Sequence, residues 1–341
     1  MKAMVLEEYG KPLILREVEI PDFGKDEVLV KVRAAGVCGT DLKIWEGKVP
    51  TKTLPLIPGH EIAGEVVAIG ENVVDFEVGD EVVISFYIPC GSCSFCRAGR
   101  YTICENFEGR MGFERDGGFA EYVAVPQKCL IHKPEKISFI QAAVVPDAIA
   151  TCYHALVTRA RVKDSDVVLM MGGGGGLGLH AIQIAKWLGA RVIGVDVSEK
   201  KLELMKECGA DLVLDANNEY LPDRVFEYTL GRGVNCVVEF VCSESSVEQS
   251  FRVLGRGSRL VLVAYSPQVK FDALRAHLFE IDILSTRAAG KQDIEECLKL
   301  VLEGKVRPVI GNVIELEELN FGFQMLREGN LKGRLVVKVQ N

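Results

Sequence analysis

Residues 167–196 read VVLMMGGGGGLGLHAIQIAKWLGARVIGVD: an unbroken apolar run, a turn of glycines, an amphipathic stretch, and a second apolar run closed by a carboxylate. VVLMM does not alternate with polar residues, so it predicts a strand buried on both faces. LHAIQIAKWLGA carries Ala181, Ile184, Ala185 and Leu188 at helical spacing and stops at Gly189. Similar apolar runs are RVIGVD at 191–196, DLVLD at 211–215, NCVVEFV at 235–241 and RLVLVAY at 259–265. Strands of this kind alternating with helices predict a parallel sheet covered on both faces. Gly173, Gly175 and Gly178 fit G-x-G-x-x-G, with Gly176 and Leu177 inside the same turn. Glycines there let the backbone approach a pyrophosphate, and the helix N-terminus offers it unpaired N–H groups. Asp196 ends the second strand about 20 residues further on, where a carboxylate can accept from an adenosine ribose hydroxyl. The run therefore predicts a dinucleotide site. A carboxylate at 196 repels a 2′-phosphate, which favours NAD. Lys200 and Lys201 follow within one turn, offset part of that repulsion, and leave NADP open.

Upstream the texture differs. Residues 1–150 read as short strands and turns, such as EVLVKV at 27–32, IAGEVVAI at 62–69 and EVVISF at 81–86, set off by Gly, Pro and Asp. Within them PCGSCSFCRAGRYTIC places Cys90, Cys93, Cys96 and Cys104 among glycine, serine and arginine rather than core residues. Four thiolates so close can wrap one ion tetrahedrally, as a structural zinc is held. A ferredoxin run has a shorter last interval and a proline after its fourth cysteine, whereas Glu105 follows Cys104 here. Disulfides are not expected in a chain that begins MKAMVLEEYG, without a charged-then-apolar leader. The other cysteines, at 38, 129, 152, 208, 236, 242 and 297, are scattered, which fits a reducing cytoplasm. After about residue 288 a helix, DIEECLKLVLEG, leads into RLVVKVQ. That last strand has no partner in the parallel sheet and is expected to return to the first domain.

A chain of 341 residues exceeds one ordinary core, so two domains are expected. A formal charge of −8 without a basic cluster argues against nucleic acid as partner. No apolar run approaches the ~18 residues that a membrane span needs.

Two further segments carry chemistry, Cys38-Gly39-Thr40-Asp41 and Gly59-His60-Glu61. A thiolate, an imidazole and a carboxylate in turn-rich segments make a plausible catalytic zinc set with room for substrate. CGTD, GHE, the four-cysteine lobe and the glycine turn with Asp196, in that order, resemble the zinc-dependent medium-chain alcohol dehydrogenase family from end to end. The resemblance implies an α/β protein: a GroES-like β-rich catalytic domain plus a Rossmann doubly wound parallel sheet, with the active site between them. The expected boundaries are 1–152 for the catalytic domain with its zinc lobe at about 88–106, 153–288 for the Rossmann domain, and 289–341 for the returning segment.

Residue by residue, the resemblance puts Cys38 and His60 on the firmest ligands of the catalytic zinc and Glu61 on the neighbouring glutamate. Asp147, in AAVVPDAIATCYHAL, stands where relatives carry Cys or Glu as a further ligand. Thr40 falls on the hydroxyl that hydrogen-bonds the substrate oxygen, and Asp41 on the carboxylate that orients His60. Lys201 matches a basic residue at the adenosine ribose, and Arg334 an arginine that reaches the pyrophosphate. Phe86 and Trp45 would line the substrate pocket. Lys43 replaces the histidine with which many relatives relay the substrate proton. The implied activity is reversible oxidation of a small-molecule alcohol, secondary or a polyol, to a ketone or aldehyde with NAD or NADP. The implied assembly is a homodimer or homotetramer. The alternative is a reductase of the quinone or enoyl type that uses only the structural zinc, and Asp147 is the residue that points to it.

Overall fold

Val167–Met171 is buried along its whole length and lies third in a six-stranded sheet. The order is Leu212–Asp215, Arg191–Asp196, Val167–Met171, Val234–Glu239, Leu254–Leu262 and Asp282–Ser285, and every neighbouring pair is parallel. This is the doubly wound order of a Rossmann domain, which runs outward in both directions from its first strand. The computed structural model describes residues 1–51, 54–264, 268–329 and 331–340. Within it the sheet belongs to a unit of Thr151–Ala288 and Gly304–Val309. The helix Gly178–Trp187 packs on the strands before and after it, burying Leu179, Ala181, Ile182, Ile184 and Ala185. Leu179, Ile182 and Ile184 each contribute about 1.5–3 kcal/mol on burial, and the two alanines less, before the ordering entropy is counted.

Two strands differ from their sequence reading. The apolar run read to residue 241 ends at Glu239, because Glu239 Oε1 accepts the N–H groups of Val241 and Cys242, each at 2.9 Å, and turns the chain. The run read at 259–265 is entered from Leu254, through Gly255 and Gly257, and ends at Leu262. Its last residue as read, Tyr265, lies outside the described residues.

The second unit comprises Met1–Ala150, Ala289–Glu303 and Ile310–Asn341. Its seven-stranded sheet runs Ile310–Glu315, Arg334–Lys338, Glu27–Val37, Glu61–Ile69, Glu81–Ile84 and Leu130–His132, with Tyr122–Pro126 also on Glu27–Val37. All these pairs are antiparallel except the first. Met4, Ala35, Val37, Phe119, Leu335 and Val337 form part of its core. Val37 pairs with Leu335, and Gly36 pairs with Glu61. By this register the end of one strand and the starts of its two neighbours bring residues 38, 60–61 and 334 to one edge. Among the described residues no helix is long and apolar enough to cross a membrane.

Candidate functional site

Cys38 follows the strand Glu27–Val37 directly and opens the short helix Gly39–Trp45. Its N–H donates to Asp41 Oδ2 at 2.7 Å, and the other oxygen of Asp41 accepts from His60 Nδ1 at 3.0 Å. One fully buried carboxylate therefore fixes two donors at once and turns His60 Nε2 toward the centre. Glu61 starts the next strand opposite Gly36, where a Cβ would run into the Glu61 carboxylate. That position needs glycine for room. Asp147 comes from a π-helical turn, Val145–Ile149, a local widening of the helix that often marks a working site. Its Oδ2 accepts from the Cys38 thiol at 3.4 Å and lies 3.8 Å from His60 Nε2. The ligand atoms of Cys38, His60, Glu61 and Asp147 all fall within 4.8 Å of one another, and all four residues are buried. Sulfur, imidazole nitrogen and carboxylate oxygens at this spacing fit a zinc ion. Burial opposes charge on His60, but Asp41, Asp147 and Cys38 outweigh it and hold its pKa well above the ordinary histidine value. A metal at Nε2 must displace that proton.

Arg334 joins this group. Its Nη2 donates to Glu61 Oε1 and to Asp147 Oδ2 at 2.9 Å, and its Nε to Glu61 Oε2 at 3.1 Å. Beside the centre stand two phenylalanines, Phe86 with its ring 4.9 Å from that of His60 and Phe113 at 5.3 Å. Trp45, expected at the pocket, packs edge-on against Phe323, under the Arg327 guanidinium, and donates its indole N–H to Lys11 O. Thr40 and Lys43 lie on the same short helix as Asp41, both partly exposed.

At the glycine turn, Gly172 takes φ 77° and its N–H and that of Gly173 reach Val195 O at 2.9 and 3.0 Å. A Cβ at Gly178 would strike the backbone of Gly173, so helix and turn pack backbone to backbone. Asp196 Oδ2 accepts from Gly174 N–H at 3.0 Å and Oδ1 from Val197 N–H at 2.8 Å. Lys201 Nζ lies 3.9 Å from Asp196 Oδ1. The turn residues, Asp196 and Lys201 are thus brought together.

The four lobe cysteines are free thiols with their sulfurs within 4.8 Å of one another. Cys90 and Cys96 are 3.9 Å apart, and Cys93 and Cys104 3.8 Å. Sulfurs bound to one zinc at ~2.3 Å stand about 3.8 Å apart, so the lobe has the size of a tetrahedral site. N–H groups of Ser92 and Cys93 pull the Cys90 thiol down to about 5, while burial pushes Cys96 up to about 12.

Residues 24–135 match the alcohol dehydrogenase GroES-like domain and residues 176–303 the zinc-binding dehydrogenase domain. An NAD-dependent alcohol dehydrogenase of Sulfolobus acidocaldarius is 39% identical over 99% of this chain and 100% of its own. The chain belongs to the zinc-dependent medium-chain alcohol dehydrogenase family. It is also similar to an acryloyl-coenzyme A reductase of Sulfurisphaera tokodaii, 33% identical over 99% of this chain and 100% of that one. The solved alcohol dehydrogenase of Aeropyrum pernix superposes with a TM-score of 0.93 at 35% identity, covering 99% of this chain and 100% of that one. As a member of this family the protein is a nicotinamide-dependent oxidoreductase, with zinc and NAD as its cofactors. Neither Gly36 nor Phe113 stands in one of the motifs that mark this dehydrogenase family in the sequence. A glycine inside a strand is the available signal for Gly36, since it marks a close approach; Phe113 carries none.

Proposed function

We propose that the protein interconverts an apolar secondary alcohol and its ketone with NAD, at Cys38, His60, Glu61 and Asp147. The observation that carries the reading is this donor cluster itself, four buried ligand atoms within 4.8 Å, set against Phe86 and Phe113. Bound at that cluster, zinc supplies Lewis-acid polarisation of the substrate oxygen, and the nicotinamide supplies the hydride acceptor. The protein's own part is positional. Asp41 holds Cys38 and His60 in place. Thr40 hydrogen-bonds the substrate hydroxyl and passes its proton on toward water, and Lys43, three residues on and on the same helical face, stands beside that route as a positive charge. Phe86 and Phe113 keep the reacting carbon in apolar surroundings and away from water, which supports a plain secondary alcohol over a polyol. The eleven free thiols suit a reducing cytoplasm. The edge strand Asp282–Ser285 and the exposed Leu274 and Leu278 suit a homodimer or homotetramer.

The test is zinc content together with NADH formation. Wild type is expected to hold two zinc ions per subunit; Cys38→Ala is expected to keep the lobe ion and lose NAD-linked oxidation of secondary alcohols. Full activity in Cys38→Ala would overturn the assignment. A second reading, a reductase of the quinone or enoyl type with only the lobe zinc, is favoured by one observation: Arg334 already neutralises Glu61 and Asp147. NADH oxidation by activated alkenes but not by ketones would establish it.

A further inference from the structure

Asp147 Oδ2 is the meeting point of the metal centre. It accepts from the Cys38 thiol at 3.4 Å and lies 3.8 Å from His60 Nε2, so an ion held by those two residues would meet this oxygen. The same oxygen already accepts from Arg334 Nη2 at 2.9 Å, and that nitrogen also donates to Glu61 Oε1. One nitrogen therefore bridges both carboxylates of the donor set. Nε completes the fork on Glu61 at 3.1 Å. Arg334 is only 4% exposed, and a guanidinium does not give up its charge.

We propose that Arg334 is a resident cation that competes with the catalytic metal for Glu61 and Asp147. Metal at this centre is consequently held weakly and exchangeably, while the cysteine lobe keeps its own. The inference rests on the metal-dependent reading of the site. Two effects act in the same direction. A fixed positive charge a few ångströms from a divalent ion repels it, and burial strengthens that repulsion. Without metal, the guanidinium also stabilises two buried carboxylates that would otherwise face each other without a counter-charge. Asp147 is what makes the competition two-sided, because the planar fork reaches a carboxylate on either side.

The experiment measures metal rather than turnover. Zinc per subunit is determined by elemental analysis along a series of chelator concentrations, for wild type, Arg334→Gln and Arg334→Lys. Cobalt(II) loading, read as the thiolate charge-transfer absorption that Cys38→Ala removes, reports filling of this centre alone. Wild type is expected to lose one of its two ions where the lobe stays filled. Arg334→Gln is expected to hold the second ion more tightly, by about tenfold or more, because the repelling charge is gone. Arg334→Lys, whose single nitrogen cannot fork, should fall between them, and it decides the matter if Arg334→Gln does not fold. A second ion seen only in the Arg334 variants would be the strongest support. Equal retention in all the proteins, or looser retention without Arg334, overturns the inference and leaves the metal-dependent reading standing. A second ion in none of them overturns both.

Discussion

Asp196 does two things with one carboxylate. Its oxygens accept the N–H groups of Gly174 and Val197, and so pin the glycine turn to the end of the second strand. The family resemblance puts the adenosine ribose beside it, where its charge would repel a 2′-phosphate, with Lys201 Nζ 3.9 Å away as a partial offset. Asp196→Asn keeps an acceptor for Gly174 but removes the charge. The ratio of kcat/KM for NAD over NADP is expected to fall by about tenfold or more, equivalent to ~1.4 kcal/mol. Steady-state kinetics with both cofactors checks this; an unchanged ratio would mean that Asp196 is only a brace for the turn. Residues such as Asp196, Cys38 and His60 could be read from the chain because each stands in a short motif whose chemistry is local. Arg334 could not. Its partners are Glu61 and Asp147, 273 and 187 positions away, and no local pattern announces such a pairing.

At the scale of an element, the helix Gly178–Trp187 is held to its surroundings by a histidine. His180 is fully buried, donates from Nδ1 to Gly176 O at 2.7 Å, and accepts the Val309 N–H at Nε2 at 2.9 Å. Both bonds require the neutral ring, and burial lowers its pKa to about 4. An unfolded chain protonates near pH 6.5, so the folded state binds fewer protons between those two values. This contribution is fully present above pH 6.5 and drains away as pH falls toward 4, by at most about 3 kcal/mol. Denaturant midpoints measured from pH 7 to 4 should show it. His180→Gln is expected to flatten the slope in that window by one proton, and an unaltered slope would remove His180 from the account. The strands of this unit were legible because they are buried on both faces and so read as unbroken apolar runs. Asp282–Ser285 was not, because at the sheet edge it is only partly buried and the apolar signal lapses. The early start at Leu254 was hidden by Gly255 and Gly257, which read as turn rather than strand.

For the molecule as a whole, the cysteine lobe ties distant parts of the chain together. Gly99 lies against Gln292 and Gly290, so residues 90–104 meet the start of the helix Lys291–Leu302. Cys104→Ser is expected to remove one zinc per subunit and to lower the melting temperature by about 2–4 °C for each kcal/mol lost. Elemental analysis and calorimetry on the same preparation check both; an unchanged zinc content would mean that three sulfurs suffice. By itself the sequence determined the alternation of strands and helices, the glycine turn with its carboxylate, the lobe, and most of the donor set. Those are matters of spacing over a few residues. Tertiary structure alone decided that Gly36 faces Glu61, that Phe113 lies beside His60 while Trp45 packs on Phe323, and that Arg334 sits on Glu61 and Asp147. Each of these depends on the register between strands far apart in the chain, and a register is set by the summed packing of whole faces rather than by any one stretch of residues.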